Sequence, residues 1–141
     1  MSTFTHQLSG QLAAMLPAIE TIYKDLHQHP ELPMQEVRTA GVIARYLREW
    51  GYDAEEHVGK TGVVGLLRNG AGPTVMLRAD MDGLPMKEES GLPYASAGEG
   101  VNKNGERVPL AHACGHDMHV AWLLGAAAVL ARGKTAWQGT V

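Results

Sequence analysis

A single cysteine, Cys114, stands in this chain of 141 residues, so no intramolecular disulfide can form. That scarcity fits a reducing compartment, and the cytoplasm is the expected location. Positive charge is not in excess either. The formal net charge is −3 and no Lys/Arg cluster occurs, so neither nucleic acid nor an anionic lipid surface is an expected partner. Long hydrophobic runs are missing. The longest apolar stretch, residues 120–131, is too short to span a bilayer and reads as a buried helix. The opening segment, MSTFTHQLSGQLAAML, lacks a basic stretch followed by an apolar one, so no secretory leader is expected. Internal repeats and low-complexity segments are also lacking. What is present is the composition of an ordinary globular protein, 45% hydrophobic and 19% charged, with length for one modest domain and its core.

Leu8, Leu12, Met15, Leu16, Ile19, Tyr23 and Leu26 recur at helical spacing. They predict one amphipathic helix, or two divided near Pro17, ended by His29-Pro30 because the residue before a proline avoids the helical region. Val37, Ala40, Ile43, Leu47 and Trp50 predict a second helix with Gly51 at its C-terminal cap. Strands are expected at residues 52–58, 62–67 and 74–79, the last two joined as a hairpin through Asn69-Gly70-Ala71-Gly72-Pro73. Residues 81–109 read as a long loop holding a short hairpin that turns at Asn104-Gly105. A third helix is expected over residues 117–131, apolar around most of its circumference and therefore buried, with Gly133 ending it. Residues 137–141 read as the first part of another strand. This order of elements places the chain in the α/β class, with a mixed sheet flanked by helices.

The densest chemistry lies in His112-Ala113-Cys114-Gly115-His116-Asp117-Met118-His119. Thiolate and imidazole are the preferred soft and borderline ligands of transition metals. Gly115 permits a sharp bend between Cys114 and His116, and the helix that follows favours a thiolate at its start. Two other readings stand beside metal binding: Cys114 as buried packing among polar loop histidines, and a Cys-His nucleophilic pair.

A second cluster, Arg78-Ala79-Asp80-Met81-Asp82-Gly83-Leu84-Pro85, leaves a predicted strand, where α/β proteins carry sites. Its carboxylates suit metal binding or the orientation of a ligating histidine, while the plain alternative pairs Asp80 with Arg78 and makes Asp82 a turn cap. A third stretch, Asp25-Leu26-His27-Gln28-His29-Pro30-Glu31-Leu32, has residue types that suit a site, or merely a helix end in solvent.

Taken together and in this order, HQHPEL, LRADMDGLP and HACGHDMHVAWLLGAA resemble the metal-dependent amidohydrolases that include hippurate hydrolases, N-acyl-amino-acid hydrolases and indole-acetyl-amino-acid hydrolases. These belong to the wider carboxypeptidase-G-like and aminoacylase-like metallopeptidase group. The resemblance runs from about Leu16 to Val141. It implies a site for two divalent ions (zinc, manganese or cobalt), with Cys114 and His116 as metal ligands, Asp82 orienting a ligand, and Asp80 and His119 in supporting places. It implies hydrolysis of the amide bond of an N-acyl amino acid, hippurate-like, to a carboxylic acid and a free amino acid. The family's general-base glutamate, its remaining ligands and its lid or dimerisation domain are expected later than Val141. Residues 1–141 are therefore expected to be the truncated N-terminal part of the metal-binding catalytic domain, inactive alone, with a homodimer as one association. Two other classes fit the visible residues: a protein that keeps the metal loop as a structural element, and a module that pairs with a separate chain bearing the other ligands.

Overall fold

The computed structural model describes residues 3–141, with the side chains of residues 12–141. Helix α1 (Thr3–Gln28) runs unbroken through Pro17, so the single-helix alternative holds. Proline removes one backbone donor, and here the loss falls on a turn whose residues Leu12, Ala13 and Ala14 are exposed, where water can satisfy the freed carbonyl. Leu8 of the first periodic run lies outside the described side chains. The helix ends just before His29-Pro30, as the proline requires. Helix α2 (Val37–Glu49) is capped at Trp50 and followed by Gly51. No helix among the described residues is long and apolar enough to cross a membrane.

Strand β1 (Asp53–Val58) pairs antiparallel with β2 (Gly62–Leu66). The hairpin therefore closes one element earlier than the turn residues suggested. After β2 the chain turns away. Arg68–Asn69 (β3) pairs antiparallel with the distant Gly139–Thr140 (β6), and Leu67 and Val141 exchange backbone hydrogen bonds of 2.8 and 3.1 Å. Residues 74–79, expected as a strand, form only one parallel bridge, Thr74 to Thr140, extended by Val75 N–H to Thr140 O at 2.9 Å. The run Val75-Met76-Leu77 has the apolar pattern of a strand covered on both faces, yet all three are exposed and Met76 is 85% so. Among the described residues nothing pairs with the far side of this segment. Composition alone cannot report that, because pairing is non-local.

Glu99–Val101 (β4) and Arg107–Pro109 (β5) form the expected short hairpin around Asn104-Gly105. Helix α3 (His116–Arg132) ends at Gly133, and a single turn of 3₁₀ helix (Lys134–Ala136) leads into β6. Among the described residues the fold is α/β, with three α-helices and three separate two-stranded antiparallel pairs in place of one continuous sheet, and with isolated bridges at Thr74–Thr140 and Leu84–Ala111.

The core gathers Ile22 and Leu26 of α1, Leu47 of α2, Tyr52, Leu67, and Val120, Leu124 and Ala127 of α3. Each large aliphatic side chain buried this way contributes about 1.5–3 kcal/mol. Helix α3 is not buried all round: Ala121 and Ala128 are fully enclosed, whereas Trp122 is exposed. Tyr52 reaches into this core and donates its hydroxyl to Ala127 O at 2.9 Å. That bond fixes the start of β1 to α3.

Candidate metal centre

The three sequence clusters, separated by tens of residues, are tied together by main-chain hydrogen bonds. Gly83 N–H donates to Glu31 O at 2.6 Å, and Leu84 and Ala111 exchange bonds of 2.8 and 3.0 Å. Gly83 is required here by close approach, since a Cβ at this position would lie 2.7 Å from Cβ of Pro30. Glu31 does not reach the site. Its carboxylate accepts Arg38 N–H at 2.9 Å and Thr39 N–H at 2.7 Å, satisfying two of the free donors at the start of α2.

The chain enters α3 through Gly115, which adopts a left-handed conformation (φ 74°) that other residues resist. This bend brings His116 back over the second cluster. Its Nδ1 lies 2.9 Å from Asp82 Oδ1 and 3.1 Å from Asp82 O. Both partners are acceptors, so Nδ1 carries the proton and Nε2 is left as the lone-pair donor. One turn along α3, His119 stacks obliquely at 5.3 Å between ring centroids. Asp80, His116 and His119 each offer a donor atom, all within 4.8 Å of one another. Asp80 also pairs with the exposed guanidinium of Arg78. Two imidazoles and a carboxylate that converge this closely suit a borderline divalent ion, so the residues fit the metal chemistry read from the sequence.

His116 is at the centre of the cluster, with Asp82 holding its ring. Asp80 and His119, expected only as support, join it directly. Cys114 is exposed and lies outside this group of three. An apolar groove of about 690 Å³, lined by Leu47, Tyr52, Leu66, Leu123 and Leu124, opens beside the cluster and reaches Asp80 and Asp82.

Next to the cluster lie buried polar groups, of which His27, His112 and Asp117 belong to the sequence clusters and Glu88 does not. His27 places Nδ1 2.6 Å from Asp117 Oδ2 and Nε2 2.9 Å from Glu88 Oε1. Burial disfavours its charged form, but the bonds to Asp117 and Glu88 outweigh this and raise the His27 pKa above its ordinary value. Burial likewise opposes ionisation of Glu88, yet the Ser90 hydroxyl, the Ser96 N–H and His27 hold its carboxyl down at about 2. His112 is buried with no partner among the described residues for either ring nitrogen, and desolvation lowers its pKa. Nothing in a helical or strand period marks these contacts. Only the presence of His27 in HQHPEL, and of His112 and Asp117 in HACGHDMH, hints at them.

The pattern of the peptidase family M20/M25/M40 matches residues 76–141, the part of the chain that holds Asp80, Asp82, His116 and His119. The chain belongs to this M20 peptidase family. It is 46% identical over 113 residues to the hippurate hydrolase of Campylobacter jejuni, matching 79% of this chain and 27% of that protein. It is 40% identical over 142 residues to the N-acetyl-L-cysteine deacetylase of Bacillus subtilis, matching 100% of this chain and 29% of that protein. In three dimensions it resembles the YXEP protein of Bacillus subtilis, described as a dinuclear metal binding peptidase of the M20 family. The TM-score is 0.79 at 36% identity, with 92% of this chain and 34% of that one covered. The chain thus spans about a third or less of the length of these M20 relatives.

Proposed function

We propose that this chain contributes to the metal centre of an M20-type amidohydrolase that cleaves N-acyl amino acids of the hippurate kind to a carboxylic acid and a free amino acid. The observation that carries the proposal is the convergence of Asp80, His116 and His119, with Asp82 bonded to the far side of the His116 ring. The names of the relatives support the chemistry: one is a hippurate hydrolase, another an N-acetyl-L-cysteine deacetylase, and the solved neighbour a dinuclear metal binding peptidase.

His116 would hold metal through the nitrogen that Asp82 leaves free, and Asp80 and His119 would add a carboxylate and a second imidazole. Cys114, exposed two residues before His116, supplies a thiol beside the same helix start. Two divalent ions bound there, zinc, manganese or cobalt, supply Lewis acidity toward an amide carbonyl and acidify water. Asp82 keeps the proton on Nδ1 of His116, which raises the basicity of Nε2 and fixes the ring plane. Arg78 screens the charge of Asp80 from the exposed side. The cluster contains no spare carboxylate to act as general base: Asp80 is a donor to the metal and Asp82 is committed to His116. By this reading the 141-residue chain binds metal without sustaining turnover, and a base from further protein completes the reaction. The protein is a cytoplasmic enzyme with a small-molecule substrate.

The test is metal content and turnover on hippurate and N-acetyl amino acids, with zinc, cobalt or manganese added. Metal bound by the chain, and lost in His116→Ala, supports the centre. Unchanged metal stoichiometry in His116→Ala overturns it. Multiple turnovers by the chain alone would show that a residue within it serves as base.

A further inference from the structure

We propose that His27 is a positioning residue of this metal centre, bridging Asp117 and Glu88 so that the first turn of α3 is held in one rotational setting; this rests on the metal-centre reading above.

His27 stands at the end of α1, 90 residues from Asp117 and 61 from Glu88, yet it bonds both. All three side chains are nearly enclosed, at 10% exposure for His27, 3% for Asp117 and 9% for Glu88. The two carboxylates only accept, so both ring nitrogens donate and the imidazole is used completely. Asp117 follows His116 directly in α3. Its second oxygen, Oδ1, accepts Met118 N–H at 2.9 Å, which locks the carboxylate into the helix's first turn. Glu88 lies six residues after Asp82 in the same loop and also accepts the Ser96 N–H at 2.6 Å and the Ser90 hydroxyl.

Two ties therefore join the same pair of segments. On one side Asp82 bonds His116 directly. On the other, Glu88, six residues past Asp82, and Asp117, next to His116, meet on His27. A helix anchored at two places in its first turn cannot rotate about its axis without breaking one of them. Such a rotation would swing His116 and His119 together, since they sit one turn apart on the same face. The imidazole itself has little freedom: Tyr23 and Tyr94 flank it at 5.6 and 5.4 Å between centroids and pack edge-on against each other. The tight seating of α1 on α3, through Ile22 and Leu26 against Val120 and Leu124, makes α1 a stable reference for the setting.

Glutamine at position 27 carries both of its N–H donors on one nitrogen, so it cannot reproduce the two separate ring nitrogens by which the imidazole bridges Asp117 and Glu88. Cobalt(II) is titrated into the unmodified chain and into His27→Gln, under conditions where circular dichroism shows native helix content in both. The visible ligand-field spectrum and the ¹⁵N signal of the His116 ring are recorded for each. The expected result is cobalt affinity lower by about 10–100-fold, the range for loss of a group that orients a ligand, with an altered ligand-field spectrum and a shifted His116 signal. A folded His27→Gln chain with unchanged affinity, spectrum and ring signal overturns the proposal. Should His27→Gln fail to fold, Glu88→Gln retains the Asp117 bond and is expected to lower affinity in the same direction by a smaller factor; unchanged affinity there overturns it. An unmodified chain that binds no cobalt defeats the metal-centre reading. The His116 ring signal, compared between the unmodified chain and His27→Gln without metal, then decides on the clamp alone.

Discussion

Two stretches adjacent in sequence behave in opposite ways. Residues 80–84 are bonded on every side: Gly83 to Glu31, Leu84 to Ala111, Asp82 to His116. Residues 75–79, immediately before them, hold one main-chain bond to Thr140 and leave Val75, Met76 and Leu77 exposed. The first stretch draws its order from segments that come before and after it in the chain. The second has the composition of a covered strand without the cover among the described residues. Apolar sequence therefore does not secure a strand; a neighbour does, whereas a loop with many donors and acceptors in reach can be the more ordered of the two.

Several substitutions test how sharp this contrast is. The largest effect is expected in the shared core. Leu124→Ala, at 1% exposure, removes a side chain that both regions lean on and should destabilise the chain by about 2–5 kcal/mol, read from denaturant unfolding. Next comes the bonded stretch. Asp82→Asn should leave the fold intact and weaken metal binding by about 10–100-fold, measured by cobalt titration; full retention of affinity would show that the His116 bond is incidental. A milder loss is expected for Glu31→Ala, about 0.5–2 kcal/mol, because two helix-start donors of α2 lose their acceptor. The smallest change in stability belongs to the open stretch. Met76→Ser should alter it by less than about 0.5 kcal/mol, since the side chain is already in water, while reducing self-association in sedimentation velocity.

The bonded region also carries a pH signature. The folded pKa of His27 is raised, so its contribution is complete below its ordinary value of 6.5 and is lost as pH rises through the folded value. Glu88 is lowered from 4.5 to about 2, so its contribution is present above 4.5 and is lost as pH falls toward 2. The difference in unfolding midpoint between the unmodified chain and His27→Gln should therefore be greatest between these limits and shrink on either side.

Much of this was legible in the sequence, and what was not has a common cause. The boundaries of α2 and α3, the end of α1 at His29-Pro30 and the turn at Asn104-Gly105 follow from local periodicity, caps and turn chemistry. His116 and Asp82 were found because their motifs concentrate metal-binding types. The hairpin was misplaced because the turn residues at 69–73 suited a reversal that β1 had already supplied to β2. The cap made by Glu31 and the bridge made by His27 escaped notice because each joins residues far apart in the chain with no spacing rule between them. The grouping of Asp80 and His119 with His116 could not be read from density of residue types, which says nothing about where side chains point.

The span of 90 residues between His27 and Asp117 has a consequence for synthesis on the ribosome. At about 5–20 residues per second, α1 emerges and waits some 5–20 seconds before its carboxylate partner is made. Through that interval the imidazole lacks Asp117, with Glu88 made 61 residues after it, and the apolar face of α1 has no α3 to lie against. The first helix of this chain is therefore not a unit that can settle early, and any nascent-chain factor that delays its collapse would act in that window.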